Sequence, residues 1–124
     1  MSKFILLAVG GTAGTVARYL LGGAVYGITG TAFPYGTLVI NLLGCLIVGF
    51  LAGLSEGRFL LGPDLRVLLM IGFCGAFTTF STFILETSNL IRDGETMRAL
   101  LNVVVSVVAG FIVFRVGMFL GDII

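Results

Sequence analysis

The run Gly72-Phe73-Cys74-Gly75-Ala76-Phe77-Thr78-Thr79-Phe80-Ser81-Thr82-Phe83 sets glycines, hydroxyls and phenylalanines side by side in an otherwise apolar stretch. Inside a membrane, polar groups and irregular backbone are expensive, and where they persist they tend to carry function. Phe80, Phe83 and Thr87 follow i, i+3, i+7 spacing and share one helix stripe. The ring edge holds the positive part of an aromatic quadrupole, so a phenylalanine edge can face an anion more gently than a full charge would. Ser81 and Thr82 add hydroxyl donors beside the rings. The plainer readings stand next to these: a phenylalanine stripe is usually packing, and hydroxyls in membrane helices often bond back to the helix carbonyls.

Asn41 lies four residues after Thr37 and three before Gly44, which puts all three on one face. Its amide can donate to an anion where no lysine is available, with Gly44 leaving room beside it, or it can bond across a helix interface as structural glue. Between Gly72 and Thr79 the glycines and paired threonines predict an interrupted helix, with Gly75 and Thr78 flanking the break. Carbonyls freed at such a break need partners, and discontinuous membrane helices often give theirs to a monovalent cation. Carbonyls of two chains meeting at a dimer axis could together surround a dehydrated sodium ion, and a glycine-lubricated crossing without any ion is the equal alternative.

Few charges fall within the apolar stretches. Arg18 sits deep in the first and Glu86 in the third, each costing roughly 2.5 kcal/mol or more if left unpaired at the membrane centre. Arg18 can attract an anion to a vestibule, snorkel, or bind helix-end carbonyls. Glu86 repels an anion unless it is protonated or turned to a partner. Asn102, Ser106 and Gly110 share a face at four-residue spacing and extend a polar track into the last stretch.

These residues need long apolar helices to hold them. The 124-residue chain is 58% hydrophobic and 10% charged, with 19 glycines, and its mean hydropathy is +1.19. A soluble domain carries about a quarter charged residues. A membrane helix takes roughly 20 apolar residues, and the pattern predicts four, at about Phe4 to Ile28, Pro34 to Leu54, Leu65 to Ile91 and Thr96 to Gly121. We expect an all-α integral membrane protein forming a single four-helix domain over residues 1–124. A transmembrane barrel would alternate apolar and polar residues, whereas Leu100 to Leu120 is apolar on every face. Gly10/Gly14, Gly23/Gly27, Gly49/Gly53, Gly53/Gly57 and Gly117/Gly121 have the spacing that lets membrane helices approach closely. Helices so closely packed enclose little space of their own, so an ion path between subunits is expected.

Net charge is +1, without a basic cluster, which argues against nucleic acid and leaves the lipid bilayer as the main partner. Lys3, Arg58 and Arg66 fall on one side of a four-span topology, against Arg92 and Arg98 on the other. So slight a bias does not fix orientation, and insertion both ways up, with antiparallel pairing, is the hypothesis that follows. Cys45 and Cys74 fall within spans and read as small hydrophobes. No histidine is present and no cofactor fingerprint appears, so enzyme chemistry is not expected.

Together these motifs resemble the Fluc (CrcB) family of small fluoride channels, over nearly the whole chain. The resemblance rests on Gly10-Gly11-x-x-Gly14-x-x-x-Arg18-Tyr19, on Gly36-Thr37-Leu38-x-Ile40-Asn41-x-x-Gly44, and above all on Gly72-x-x-Gly75-Ala76-x-Thr78-Thr79-Phe80-Ser81-Thr82-Phe83. Thr15, Ile40 and Ala76 depart from residues common in that family without removing a donor or a ring, and Leu46 stands where the family often has Phe, a packing change. The resemblance implies an antiparallel, dual-topology homodimer in a bacterial inner membrane, passive fluoride export, and a structural sodium at the dimer centre on the carbonyls of Gly75 and Thr78. It implies a pore lined by Asn41, Phe80 and Phe83, with Thr82, Ser106 and Glu86 on a polar track or its far end. Thr37 and Ser81 join that pathway as neighbouring hydroxyls, and Arg18 is assigned to a vestibule or a structural role. Two readings compete: a small multidrug or cation exporter using Glu86, and a membrane scaffold that transports nothing.

Overall fold

The computed structural model describes residues 2–57 and 60–124, and every regular element among them is helical. Arg58, counted above towards orientation, lies outside the described residues, as does the side-chain environment of Gly57. Helix α1 (Lys3–Thr29) starts where the Ser2 hydroxyl accepts from the Phe4 N–H at 3.3 Å, meeting one of the amides a helix start leaves without a partner. It stops at Gly30, whose φ of 75° is the left-handed turn glycine takes without strain. Helix α2 (Tyr35–Gly57) follows a short connection ending at Pro34.

The third span begins at Pro63 rather than at Leu65, because proline is well suited to the first helical position and Gly62 precedes it as cap. This span is built from several pieces. Helix α3 (Pro63–Arg66) runs into a π-helical stretch, Val67–Cys74, then α4 (Gly75–Phe77). The backbone becomes extended at Thr78 and Thr79, and α5 (Phe80–Arg92) resumes the helix. After a turn through Gly94 (φ 76°), α6 (Thr96–Ile123) completes the chain's helices. Four stretches, Lys3–Thr29, Tyr35–Glu56, Pro63–Arg92 and Thr96–Ile123, are long and apolar enough to cross a membrane.

Two helix pairs organise the packing: α2 lies along α6, and α1 lies along the π-helical stretch and α4. Glycines make both crossings possible. A Cβ on Gly49 would overlap the Phe114 carbonyl, one on Gly53 the Met118 carbonyl, and ones on Gly117 and Gly121 the carbonyls of Leu46 and Phe50. On the other pair, Gly10 and Gly14 lie against the backbone of Leu68 and Phe73. Gly23 and Gly27 have the same spacing, but a Cβ at either would meet nothing among the described residues, which leaves that face for lipid or another subunit.

The outside is apolar. In the fourth span only 11% of the most hydrophobic window is buried, and Phe4, Ile28, Phe80, Phe111 and Phe119 all face outward. A soluble bundle would hide such side chains; a chain surrounded by lipid need not. Inside, Asn102 and Cys74 are the largest fully buried side chains. Cys45 and Cys74 are both free thiols.

Candidate functional site

The break in the third span is where the polar chemistry gathers. In a continuous helix the Thr79 N–H would bond to the Gly75 carbonyl; here it donates to Asn41 Oδ1 at 2.9 Å. The Thr82 N–H would likewise bond to the Thr78 carbonyl, but donates to Thr79 Oγ1 at 3.3 Å, capping α5. The carbonyls of Gly75 and Thr78 have therefore both lost their helical donors to side chains. Such oxygens suit a hard monovalent cation, and these are the two carbonyls that the sequence nominates. The break itself lies at Thr78–Thr79, with Gly75 still helical at φ −61° and ψ −35°, so Gly75 sits inside the preceding turn instead of bordering the extended residues.

Asn41 clamps this break. Besides accepting from the Thr79 amide, its Nδ2 donates to the Thr79 carbonyl at 3.0 Å, and the second Nδ2 hydrogen remains to be given elsewhere. The room at Gly44 is taken up by the Thr78 methyl, which a Cβ there would overlap; the sequence reading had left that space beside the amide. Asn41, Thr79 and Phe80 line a cavity of about 310 Å³ that also reaches Cys45 and Phe114.

The phenylalanine stripe divides at its first turn. Phe80 is 75% exposed while Phe83 is 8% exposed, with ring centroids 5.9 Å apart and planes tilted by 46°. Thr87, buried beyond them, bonds back to the Phe83 carbonyl at 2.7 Å and accepts from Asn102 Nδ2 at 2.9 Å. Ser106 reaches Asn102 Oδ1 only through a long contact of 3.5 Å. Ser106 borders a separate, largely apolar cavity of about 380 Å³, joined to the Asn41 cavity through shared Cys45 and Phe114. Ser81 is exposed and lies 3.5 Å from the Thr79 hydroxyl. Thr82 accepts from that same hydroxyl at 3.0 Å, which leaves its own proton free to donate.

On the far side of the break a third cavity, about 410 Å³, is bordered by Arg18, Thr37, Thr79, Thr82 and Glu86. Arg18 does not pair with Glu86. Its Nε donates to the Ala76 carbonyl at 3.0 Å, the helix-end contact among the three options for this residue, and the side chain also borders the cavity. Glu86 is turned to partners: Thr37 Oγ1 donates to Oε1 at 2.5 Å and the Tyr26 hydroxyl donates to Oε2 at 2.7 Å.

Two residues of this site escaped the sequence reading. Thr79 is its hub, joined to Asn41 by amide and carbonyl and to Thr82 by its hydroxyl. Tyr26 is the other. A signal for it was present in the four-residue spacing of Arg18, Gly22 and Tyr26, which puts a cation, a gap and a phenol on one face.

The model for the family described as "CrcB-like protein, Camphor Resistance (CrcB)" matches residues 5–118. The chain belongs to the CrcB family. A relative named fluoride-specific ion channel FluC from Maridesulfovibrio salexigens is 42% identical to this CrcB-family chain over 124 residues, covering 100% of it and 98% of the relative. Relatives of the same name from Chlorobaculum tepidum and Geobacter sulfurreducens are each 48% identical, over 110 and 107 residues, covering 89% and 86% of the chain and 86% of each relative. Asn41, the threonines of the break and the Phe80/Phe83 pair, which carried the resemblance, all lie within the family-matched residues.

Proposed function

We propose that this chain is a fluoride-selective channel that lets fluoride leave the cytoplasm passively, as an antiparallel, dual-topology homodimer in the inner membrane of a bacterium. The observation that carries this is the concentration of neutral donors around the third-span break. The spare Asn41 amide hydrogen, the free Thr82 hydroxyl and the paired rings of Phe80 and Phe83 gather at that break, and the relatives' shared name points the same way.

Fluoride is small and strongly hydrated, so a path for it must replace water with donors at every step. Amide, hydroxyl and ring-edge groups bind firmly enough to admit the ion and weakly enough to release it. Asn41, Ser81, Thr82, Thr37 and Ser106 supply the donors, Phe80 and Phe83 the ring edges, and Arg18 draws the anion towards the cavity it borders. Glu86 lies at the pathway's end with its charge engaged by Tyr26 and Thr37. A structural sodium, when bound, supplies a fixed positive centre between the subunits. The Gly75 and Thr78 carbonyls would hold it, and their freedom from helical bonding supports that reading.

The test is fluoride efflux from liposomes holding the purified protein, read with a fluoride electrode beside matched chloride vesicles. Rapid fluoride release with little chloride release, lost in Phe80→Ile, is expected. Silence in both vesicle sets from folded, inserted protein would replace the channel by a scaffold. Transport abolished by Glu86→Gln yet preserved in Phe80→Ile would favour the exporter.

A further inference from the structure

Tyr26 and Glu86 are the two residues, among those described, that border both of two neighbouring cavities. One is the cavity of about 410 Å³ that holds Arg18 and Thr82. The other, about 300 Å³, opens past Asn89 and Asp93 towards the end of α5. An ion moving from one to the other passes this pair. The phenol donates to Glu86 Oε2 at 2.7 Å, lies 3.4 Å from Thr37 Oγ1, and accepts from the Thr37 N–H at 3.4 Å. With Thr37 on Oε1, each carboxylate oxygen has a hydroxyl donor. The ring is seated by Gly36, where any Cβ would collide with it.

We infer that Tyr26 is a positioning residue for anion transfer between these cavities, acting through Glu86. This rests on the channel reading above. A bare carboxylate oxygen at the septum, with Asp93 beyond it, presents an anion with negative charge. A phenol donating to Oε2 covers that oxygen and turns a hydrogen-bonded hydroxyl towards the path. The same hydroxyl can exchange its proton donation between the carboxylate and an arriving fluoride, so the ion meets a donor where it would otherwise meet a repelling charge. Only the hydroxyl distinguishes tyrosine from phenylalanine here, because the ring's packing against Gly36 survives in phenylalanine.

The experiment is a double-mutant cycle in the liposome efflux assay, with wild type, Tyr26→Phe, Glu86→Gln and the pair. Tyr26→Phe is expected to slow fluoride efflux about tenfold, the size of losing one hydrogen bond to a charged group. Adding it to Glu86→Gln is expected to cost almost nothing further. An unchanged rate in Tyr26→Phe, or the same tenfold loss in the Glu86→Gln background, would overturn the inference. Infrared spectra of the detergent-purified protein give a readout apart from transport. The carboxylate band that Glu86→Gln removes should move in Tyr26→Phe, and a stationary band would also overturn it. A wild type that passes no fluoride, with the band still shifting in Tyr26→Phe, would mark failure of the channel reading while leaving the Tyr26–Glu86 link standing.

Discussion

Asn41 grips both backbone polar groups of Thr79, donating to the carbonyl at 3.0 Å and accepting from the amide at 2.9 Å. A side-chain amide here does for the broken third span what a neighbouring turn would do for an intact helix. Asn41→Ala strands both backbone groups, and we expect a loss of about 1–2 kcal/mol in stability together with a large drop in fluoride efflux. Asn41→Asp keeps the acceptor but sets a carboxylate against the Thr79 carbonyl, so efflux should fall further, by about a hundredfold. Thermal unfolding in detergent beside liposome efflux checks both.

Thr79 caps α5 through its hydroxyl, which accepts from the Thr82 amide and donates to the Thr82 hydroxyl. Thr79→Ser should behave like wild type. Thr79→Val removes the cap at a cost of about 1 kcal/mol, returns an unpartnered amide to the break, and should lower the unfolding temperature and slow efflux together. A valine variant as stable and as active as wild type would contradict the capping role.

Sodium gives a test on the carbonyl side. If Gly75 and Thr78 hold the ion, replacing sodium by a large organic cation should lower the thermal transition of the purified protein, and restoring sodium should raise it by the mass-action law for a ligand that binds only the folded form. A transition indifferent to the cation would remove sodium from the site.

The glycine crossings make opposite predictions at two positions of the same residue type. Gly117→Ala places a methyl group on the Leu46 carbonyl, where backbone cannot give way, and should destabilise by roughly 1–3 kcal/mol. Gly27→Ala meets nothing among the described residues and should leave the protein as stable or slightly more so, since alanine is the better helix former. Unfolding curves of the two variants, run side by side, decide it.

The four spans were legible because each is a long apolar run with Gly, Pro or Asp-Gly punctuation at its ends, a signal that needs no tertiary knowledge. A break near the middle of the third span was legible from the glycines and paired threonines, but its narrowing to Thr78 and Thr79 was not: that depends on Asn41, far away in sequence, taking the Thr79 amide. The π-helical stretch Val67–Cys74 left no trace in the pattern, since Val67, Leu68, Leu69, Met70 and Ile71 are apolar on every side and carry no period to read. Asn41, Thr37 and Gly44 were rightly grouped on one face, and all three do meet the third span, at Thr79, Glu86 and Thr78. Tyr26 was hidden for a different reason. A tyrosine near the end of a membrane helix ordinarily anchors at the lipid headgroups, and its partner Glu86 lies on another span.

The glycine-to-backbone crossing of α2 with α6 also bears on how the protein is made. The second span is made before the fourth, yet each is shaped to fit the other, with Gly49 and Gly53 on one side and Gly117 and Gly121 on the other. This seam can therefore form only once α6 has been made. Until α6 arrives, the smooth glycine flank of α2 lies bare in the bilayer.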